Sequence, residues 1–445
     1  MAARPLTTPH DISHREFAAL WLLAFAAASA IGTHGIAYWD AGDYTLLAIT
    51  GGKSGMLLGR PLFLWVSRLV LLTGVEPASA EPVLRWFWTA AGTLAAPLLA
   101  VLATRLGLER RPALFAGIAL ALSPSFAHTS HQVLTDAPAL ALSIAALAGA
   151  ASNRTWLAGL LLAAAIATRE TAAVHVVSIA LLLGRRRGLM AVAVSAATVI
   201  AIAIVITHQP PGVLEWFTAM SRSVSTHHWS IVDLLTSVAW VIVAGPGPVI
   251  VGAFMLMHRN VSPRVAAVSV PSALASAFLL FYPDGSFSPR YVLATVPLAF
   301  FVAAAPWLAA RRTLAAALLV VPIAIAAVAA TSADAVAEYG ASVGRRVAAL
   351  PANTTVVPGH FCPQSRLAAA VSGRSDLQFI CPGWQWPLDV AAEFDAALNS
   401  GRPVAVDLAD AAWVGRREVE PRRAVRSWAE SRPGSDENGF WIVRR

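Results

Sequence analysis

The sequence predicts a mainly α-helical, polytopic membrane protein with a small α/β domain at its C-terminus. Hydrophobic residues make up 57% of the 445-residue chain and charged residues 13%, whereas soluble domains average about 25% charged residues. Apolar runs long enough to cross a bilayer recur from Phe17 to about Thr331. After Thr331 the charges become dense, so we predict a transmembrane domain at residues 1–332 and a soluble domain at 333–445.

The charge distribution agrees with this division. From Thr331 onward the chain has 13 Arg and 13 acidic residues, so the net charge of +8 belongs to the first part, with its 20 basic and 12 acidic residues. Basic residues beside membrane spans mark the cytoplasmic side. No basic patch is interleaved with stacking aromatic residues, so the basic character reflects membrane topology, and no nucleic-acid partner is predicted.

The first apolar run covers residues 17–36, and its segment Phe25–Ala30 has the small residues of a signal-peptide cleavage site. We favour an uncleaved span, because the stretch Tyr38–Tyr44 follows too closely to lose its anchor. That stretch holds Asp40 and Asp43, which can share one face of a helical turn. Acids at a membrane boundary are costly and indicate function. The alternative is a solvated loop in which one of them caps a helix.

Eleven transmembrane spans are predicted, with an interfacial helix from Arg60 to Leu72 between the first two. Arginine clusters mark the cytoplasmic ends of the spans. The approximate spans are 17–36, 83–104, 112–122, 135–153, 154–169, 170–185, 189–207, 231–257, 265–282, 290–311 and 313–331. With an odd number of spans and a cytoplasmic N-terminus, the soluble domain lies outside the cytoplasm.

The fifth and sixth spans are predicted to form a hairpin. Thirty residues separate Arg154 from Arg185, and Arg169–Glu170 interrupts them. A single helix would leave Arg169 near the bilayer centre, which costs several kcal/mol on an isolated helix. Two short helices keep both basic ends in the cytoplasm and bring Arg169 to the outer surface.

The unusual ionisable residues of the membrane part therefore gather on its outer face. Acids there can remove a proton, and arginines can hold a phosphate. The residues in question are Asp40, Asp43, Asp136, Arg169 and Arg290.

Three of these residues have a structural alternative. Asp136 can cap a helix that has Pro138 near its start. Arg169 can pair with Glu170 or extend to the membrane surface, and Arg290 can simply flank a span.

The soluble domain alternates strand and helix patterns, which indicates a small, largely parallel α/β layer. The predicted strands are 354–357, 377–380, 404–408 and 440–443, and the helices are 365–371 and 391–398. Both cysteines of the chain, Cys362 and Cys381, lie here and suggest one disulfide in an oxidising compartment. The alternative is two unrelated small residues. We expect this domain to support the membrane site or to recognise an acceptor.

The order of these motifs resembles the GT-C class of membrane glycosyltransferases, particularly bacterial relatives of the protein O-mannosyltransferases and the lipid A aminoarabinose transferase. The resemblance covers about residues 17–310. Its motifs are Tyr38–Asp43, Leu122–Pro124 followed by Thr135–Pro138, Ala167–Thr171 and Pro289–Tyr291. Many members carry Pro-Pro in the first loop, where this chain has Gly59-Arg60-Pro61.

This resemblance implies roles for individual residues. An acid of the first outer loop, Asp40 or Asp43, would be the catalytic base. Asp136 would shape the site. The basic residues Arg169 and Arg290 would contact the phosphate of a lipid donor. Arg60 and Tyr291 complete the predicted substrate-binding set.

The implied function is transfer of a sugar from a polyprenyl-phosphate donor to a hydroxyl of a lipid, glycan or protein acceptor outside a bacterial-type plasma membrane. No nucleotide-binding motif is present and no cofactor is predicted, while a divalent metal is left open. The alternatives are a lipid-linked sugar flippase or transporter, which places ionisable groups near the midplane, and a non-catalytic scaffold. Convergence of Asp40, Asp43, Asp136 and Arg169 on one outer cavity would favour the transferase.

Overall fold

The computed structural model describes ten segments of the chain and five single residues. The segments are 11–32, 35–36, 39–51, 60–207, 245–258, 260–280, 293–311, 334–381, 390–409 and 419–444, and the single residues are 235, 238, 313, 324 and 412. The residues up to 324 in this set are mainly helical, and the last three segments form a small sheet with helices.

The helices of the first part pack around a core rich in alanine and leucine. They are α1 His14–Ile31, α2 Trp39–Thr50, α3 Pro61–Leu71, α4 Ala80–Thr93, α5 Ala95–Arg105, α6 Arg110–Ala121, α7 Pro124–Ser130, α8 Asp136–Ala151, α9 Thr155–Thr168, α10 Val176–Leu183, α11 Arg185–Thr207, α12 Pro246–Met257, α13 Pro263–Leu280 and α14 Val302–Ala309. Short 3₁₀ segments at Pro77–Ser79 and Glu170–His175 and a π-helical turn at Pro297–Phe301 join some of them.

Two helical segments of the described chain are long and apolar enough to cross a membrane, Pro77–Arg105 and Arg185–Ile206. The bent pair α6 and α7 makes a third if it is counted as one span. Large apolar side chains are exposed on the outer helices, for example Leu22, Leu181 and Val205. Such a surface suits contact with lipid. The mainly helical fold is thus as predicted, whereas the number of eleven spans stays a prediction.

Helices α9 and α10 are separated by a break at Arg169, where the backbone is extended (φ −155°, ψ 124°). Near the start of α9, Gly159 packs so closely on α11 that an added Cβ would lie 2.7 Å from the carbonyl oxygen of Ala191. At the far end of α10, Ala180 packs in the same way on Gly188 of α11. Both helices therefore return to the first turns of α11 and form a hairpin with Arg169 at its tip.

Basic side chains lie at the end of the bundle opposite this tip. Arg264 donates to the carbonyl of Ala151 at the C-terminus of α8. Arg105, at the C-terminus of α5, pairs with Asp11 at 3.0 Å, and this end of the bundle also contains the pair Arg110–Glu16. The bundle thus has two ends. One is this basic end. The other carries Asp136 and the hairpin tip, and we call it the site end.

The C-terminal part begins with a helix over residues 334–348, α15. The remaining elements are β1 Thr355–Val357, α16 Cys362–Val371, β2 Gln378–Phe379, α17 Val390–Asn399, β3 Val404–Val406, α18 Val419–Glu430, β4 Gly434–Glu437 and β5 Phe440–Val443. The sheet has the order β2-β1-β3-β5-β4. Its first three strands are parallel, as predicted, and β5 runs antiparallel to both β3 and β4. Strand β4 was not predicted, because Gly434–Glu437 is polar and lies at the sheet edge.

This sheet domain contacts the helical bundle through α2 and α16. Gly42 of α2 lies so close to α16 that an added Cβ would be 2.8 Å from the Cβ of Pro363. Any larger residue at position 42 would push the two helices apart. The close approach therefore fixes the sheet domain directly beside the helix that carries Asp40 and Asp43.

Cys362, the first residue of α16, is bonded to Cys381, which follows β2, with Cα atoms 5.5 Å apart. The disulfide closes a loop between residues 19 positions apart, which should stabilise the domain by about 3 kcal/mol in the chain-entropy model. We expect the variant with Ser at both positions to unfold at a clearly lower temperature, measured by limited proteolysis of the purified chain during heating. Transfer activity of the folded variant should be unchanged. Free thiols in wild-type protein purified without reductant would contradict this prediction.

Candidate active site

Helix α2 places the two candidate bases. Apolar residues at spacings of three and four, Ala41, Tyr44 and Ala48, bury one face of this helix. The Tyr44 ring packs on Phe63 of α3, with ring centroids 5.0 Å apart. Because Asp40 stands one helical turn before Tyr44 on the same side, this packing also fixes the position of Asp40.

Asp40 and Asp43 have different surroundings. An oxygen of Asp43 lies 3.9 Å from a guanidinium nitrogen of Arg366 in α16, so this carboxylate faces the sheet domain. The charge of Asp40 acts on Arg60, the residue that precedes α3. Asp40 therefore belongs to the polar cluster of the helical part, and Asp43 lies at the boundary between the two parts.

The Arg60 guanidinium makes a two-pronged ion pair with Glu170 at the hairpin tip. Its Nε and Nη2 atoms donate to Oε2 and Oε1 of Glu170, both at 3.0 Å. Arg60 is 7% exposed, and this geometry is the strongest that arginine forms with a carboxylate. The pair ties the loop before α3 to the hairpin.

The neighbouring residue, Arg169, pairs with Asp136 at the start of α8. Its Nη1 donates to Asp136 Oδ2 at 2.9 Å and to the hydroxyl of Thr135 at 3.1 Å. Arg169 is 2% exposed and Asp136 1% exposed. Thr135, not Asp136, is the residue before α8, and its side chain makes no capping bond. The Asp136 carboxylate instead accepts from Arg169, which is buried and does not extend to the surface. Arg169 thus lies at the hairpin tip, and its side chain is buried there.

Three buried polar atoms of this cluster have no hydrogen-bond partner within the described part of the chain. They are Arg60 Nη1, the hydroxyl of Tyr44 and Asp136 Oδ1. The Arg60 guanidinium carbon lies 5.6 Å from the centre of the Tyr44 ring, and the charge of Asp136 acts on Arg60. Leaving such groups buried and unpaired costs about 1–3 kcal/mol each. The two donors among them, Arg60 Nη1 and the Tyr44 hydroxyl, are therefore suited to a polar, anionic ligand.

The structure brings Asp40, Asp136, Arg169 and Arg60 to one end of the bundle, whereas Asp43 lies against the sheet domain. Arg290 and Tyr291 lie outside the described residues, as does Tyr38. The prediction missed Glu170 and the role of Tyr44. The spacing of Tyr44, four residues after Asp40, was an available signal. Glu170 could not be found in this way, because the burial of Arg60, and with it the need for an anion, becomes visible only in the structure.

No group of three or more His, Cys, Asp or Glu side chains is arranged to hold a metal ion among the residues that the structure describes. Glu170 and Asp136 are instead paired with Arg60 and Arg169.

Residues 72–185 match the family model described as dolichyl-phosphate-mannose-protein mannosyltransferase. This segment includes Asp136, Arg169 and Glu170, and it covers well under half of the chain. None of the curated proteins matches the chain.

The fold is similar to three solved structures over nearly the whole chain. Two are crystal structures of ArnT from Cupriavidus metallidurans: the apo state (TM-score 0.60, 14% identity, 96% of each chain covered) and the complex with undecaprenyl phosphate (TM-score 0.58, 13% identity, 96% of this chain and 97% of that one). The third is the archaeal oligosaccharyltransferase AglB from Archaeoglobus fulgidus in complex with an inhibitory peptide and a dolichol-phosphate (TM-score 0.51, 11% identity, 96% of this chain and 74% of that one). At these identities the likeness shows the fold. With the family match, it confirms the predicted resemblance to the GT-C class.

Proposed function

We propose that this chain, a glycosyltransferase of the GT-C type, transfers a sugar from a polyprenyl-phosphate donor to a hydroxyl of an acceptor outside the cytoplasm. The observation that carries the proposal is the buried cluster at the site end, in which Arg60 Nη1 and the Tyr44 hydroxyl have no hydrogen-bond partner among the described residues. A donor phosphate supplies acceptor oxygens for both groups. A phosphate is also the kind of anion that arginine binds best.

The two ion pairs fix the arginines of the cluster before a donor binds. Arg60 pairs with Glu170, and Arg169 pairs with Asp136. The pairs hold both arginines in fixed positions, so little conformational entropy is lost when a ligand binds. Undecaprenyl phosphate, which is bound to ArnT in one of the similar structures, has the required chemistry, with one phosphate on a lipid chain.

Asp40 is the base in this proposal. It is close enough to Arg60 for its charge to act on that residue, and it lies one turn from Tyr44 on α2. A phosphate held by these two groups therefore places its sugar beside Asp40. Asp43 is directed to Arg366 instead, and we assign it no part in the proton transfer.

The reaction then requires one substitution at the sugar. Asp40 accepts the proton of the acceptor hydroxyl. The hydroxyl oxygen forms a bond to the anomeric carbon, and the bond from that carbon to the donor phosphate oxygen breaks. The bonding electrons leave with the polyprenyl phosphate, whose developing negative charge is stabilised by Arg60. The anomeric configuration is inverted in this single step.

The transporter alternative predicts ionisable groups near the membrane midplane. In the described part of the chain the acids and arginines of the cluster sit at helix starts and at the hairpin tip instead. This position favours transfer at one membrane surface over passage through the bundle.

Binding of undecaprenyl phosphate to the purified chain in detergent tests the donor assignment. Tyr44→Phe removes only the unpaired hydroxyl, so we expect its dissociation constant to rise by about tenfold, since a hydrogen bond to a charged group is worth about 1.5–3 kcal/mol. Tyr339→Phe, which removes a hydroxyl bonded to Asp407 in the sheet domain, is the matched control and should bind as wild type. Equal binding by all three proteins would remove the main support for the proposal.

The proposal also requires the site end to face outward. Ser79 is exposed beside the start of α4 at the site end, and Arg186 is exposed at the basic end. Both native cysteines are disulfide-bonded. In intact cells a membrane-impermeant thiol reagent should label the Ser79→Cys variant and leave Arg186→Cys unlabelled until the cells are opened. The reverse pattern would refute the orientation.

A further inference from the structure

Three aromatic rings from three helices form a buried stack beside the cluster at the site end. Tyr44 of α2 packs edge-on against Phe63 of α3, with ring centroids 5.0 Å apart. Phe63 in turn stacks on Trp88 of α4, with 4.3 Å between the centroids and 20° between the ring planes. All three side chains are buried. Trp88 is thus connected with Tyr44 through the Phe63 ring.

A chain of hydrogen bonds holds the Trp88 ring against α3. Its Nε1 donates to Ser67 Oγ at 3.0 Å, and this hydroxyl donates to the backbone carbonyl of Phe63 at 2.8 Å. Ser67 is fully buried. A buried tryptophan normally finds such a partner for its indole N–H. Trp88 is therefore tied to α3 twice, by the face of its ring and by its indole nitrogen.

We propose that Trp88 is a positioning residue for the donor phosphate and that it acts through Phe63 on the hydroxyl of Tyr44. The inference rests on the proposed transferase function and adds a residue to its donor site. Trp88 itself does not touch the phosphate. Its part is to hold the Tyr44 ring in the one orientation in which the hydroxyl can donate to the donor phosphate.

The state of the Tyr44 hydroxyl supports this role. The hydroxyl is buried without a hydrogen-bond partner among the described residues, which is an unfavourable arrangement. A ring that was free to move would turn its hydroxyl towards another polar group or towards water. The stack opposes this movement and keeps the ring beside Arg60, whose guanidinium carbon lies 5.6 Å from the ring centre. A donor group that is already in place loses less conformational entropy when the phosphate binds.

The alternative is that Trp88 only fills the core, and Trp428 of the sheet domain provides the comparison. Trp428 is 5% exposed and Trp88 6%. The Trp428 Nε1 donates to Asp395 at 3.0 Å, and its ring packs against Phe394 with centroids 4.8 Å apart. The two tryptophans thus have similar burial and similar bonds, but the ring beside Trp428 belongs to the sheet domain. A purely structural role predicts the same result at both positions, a loss of stability without a change in donor binding.

The test is a double-mutant cycle of Trp88→Leu and Tyr44→Phe, measured as binding of undecaprenyl phosphate to the purified full chain. We expect Trp88→Leu to raise the dissociation constant by about fivefold, a typical coupling between residues in contact. In the Tyr44→Phe background the same substitution should cause no further change, because the hydroxyl on which Trp88 acts is already absent. Trp428→Leu is the matched control and should bind as wild type.

Two milder variants keep the test decisive if Trp88→Leu does not fold, which thermal unfolding checks. Trp88→Phe keeps a ring on Phe63 but loses the bond to Ser67, and Ser67→Ala removes the acceptor of that bond. Both should weaken binding of undecaprenyl phosphate less than Trp88→Leu does, and both effects should disappear in the Tyr44→Phe background.

Three outcomes would overturn the inference. One is wild-type binding in all of the folded Trp88 and Ser67 variants. Another is an additive cycle, which would mean that Trp88 affects the site without Tyr44. The third is an equal loss of binding in Trp428→Leu, which would mean a general loosening of the chain. Failure of the donor proposal reads out separately, because Tyr44→Phe alone would then bind undecaprenyl phosphate as wild type does.

Discussion

Asp40→Asn is expected to lower the rate of sugar transfer by about a hundredfold or more, because general base catalysis typically contributes about 10²–10⁴-fold. Asn has almost the shape of Asp but cannot accept the proton of the acceptor hydroxyl. The measurement is turnover of a labelled polyprenyl-phosphate sugar by purified protein in detergent or liposomes. Binding of undecaprenyl phosphate by the same variant should change little, which separates a lost base from a lost donor site.

Asp43→Asn is the matched control for this experiment. It makes the same change one helical turn away on α2, at a carboxylate that faces Arg366 rather than Arg60. We expect its turnover at saturating acceptor to remain within a few-fold of wild type. If Asp43→Asn lost activity and Asp40→Asn did not, the two roles would have to be exchanged. Near-normal turnover in both variants would contradict a base in this stretch altogether.

The second large effect is expected at the ion pair of Arg60 and Glu170. Removing one partner leaves the other charge buried, which costs about 3–5 kcal/mol. We therefore expect Arg60→Leu and Glu170→Leu each to lower the thermal stability of the chain strongly. The double variant removes both charges and should recover most of that stability, because two apolar side chains of similar size can replace a buried pair.

Activity should follow a different pattern from stability. The double variant lacks the guanidinium that we place on the donor phosphate, so it should bind undecaprenyl phosphate poorly and transfer no sugar, although it is folded. Arg60→Lys keeps the charge but loses the two-pronged geometry, and it should be intermediate in both measurements. A folded double variant with normal donor binding would show that the pair is only structural.

The sequence predicted those parts of the fold that have a periodic or charge-based signal. The hairpin could be predicted because Arg169 cannot remain near the bilayer centre, and the break at Arg169 is present. The parallel strands around Val356 and Ala405 could be predicted because they are apolar runs between helices. Strand β4 could not, because its edge position makes a polar sequence acceptable.

The sequence predicted several residues of the buried cluster, but it did not predict which of them form ion pairs with each other. Charged residues at the ends of apolar runs identified Asp136 and Arg169, and the resemblance to the GT-C class added Arg60. Which carboxylate pairs with which arginine depends on how the loop before α3 meets the hairpin tip, and no local pattern specifies that contact. The different surroundings of Asp40 and Asp43 likewise follow from the sheet domain, whose placement rests on the close approach at Gly42.

A structure of the purified chain with undecaprenyl phosphate, determined by electron cryomicroscopy, tests the central claim most directly. We predict density for the phosphate within hydrogen-bond distance of Arg60 Nη1 and the Tyr44 hydroxyl, on the side of α2 that carries Asp40. The lipid chain should leave the cluster towards the exposed apolar surface of the bundle. A phosphate bound elsewhere, with Arg60 and Tyr44 unoccupied, would contradict the account.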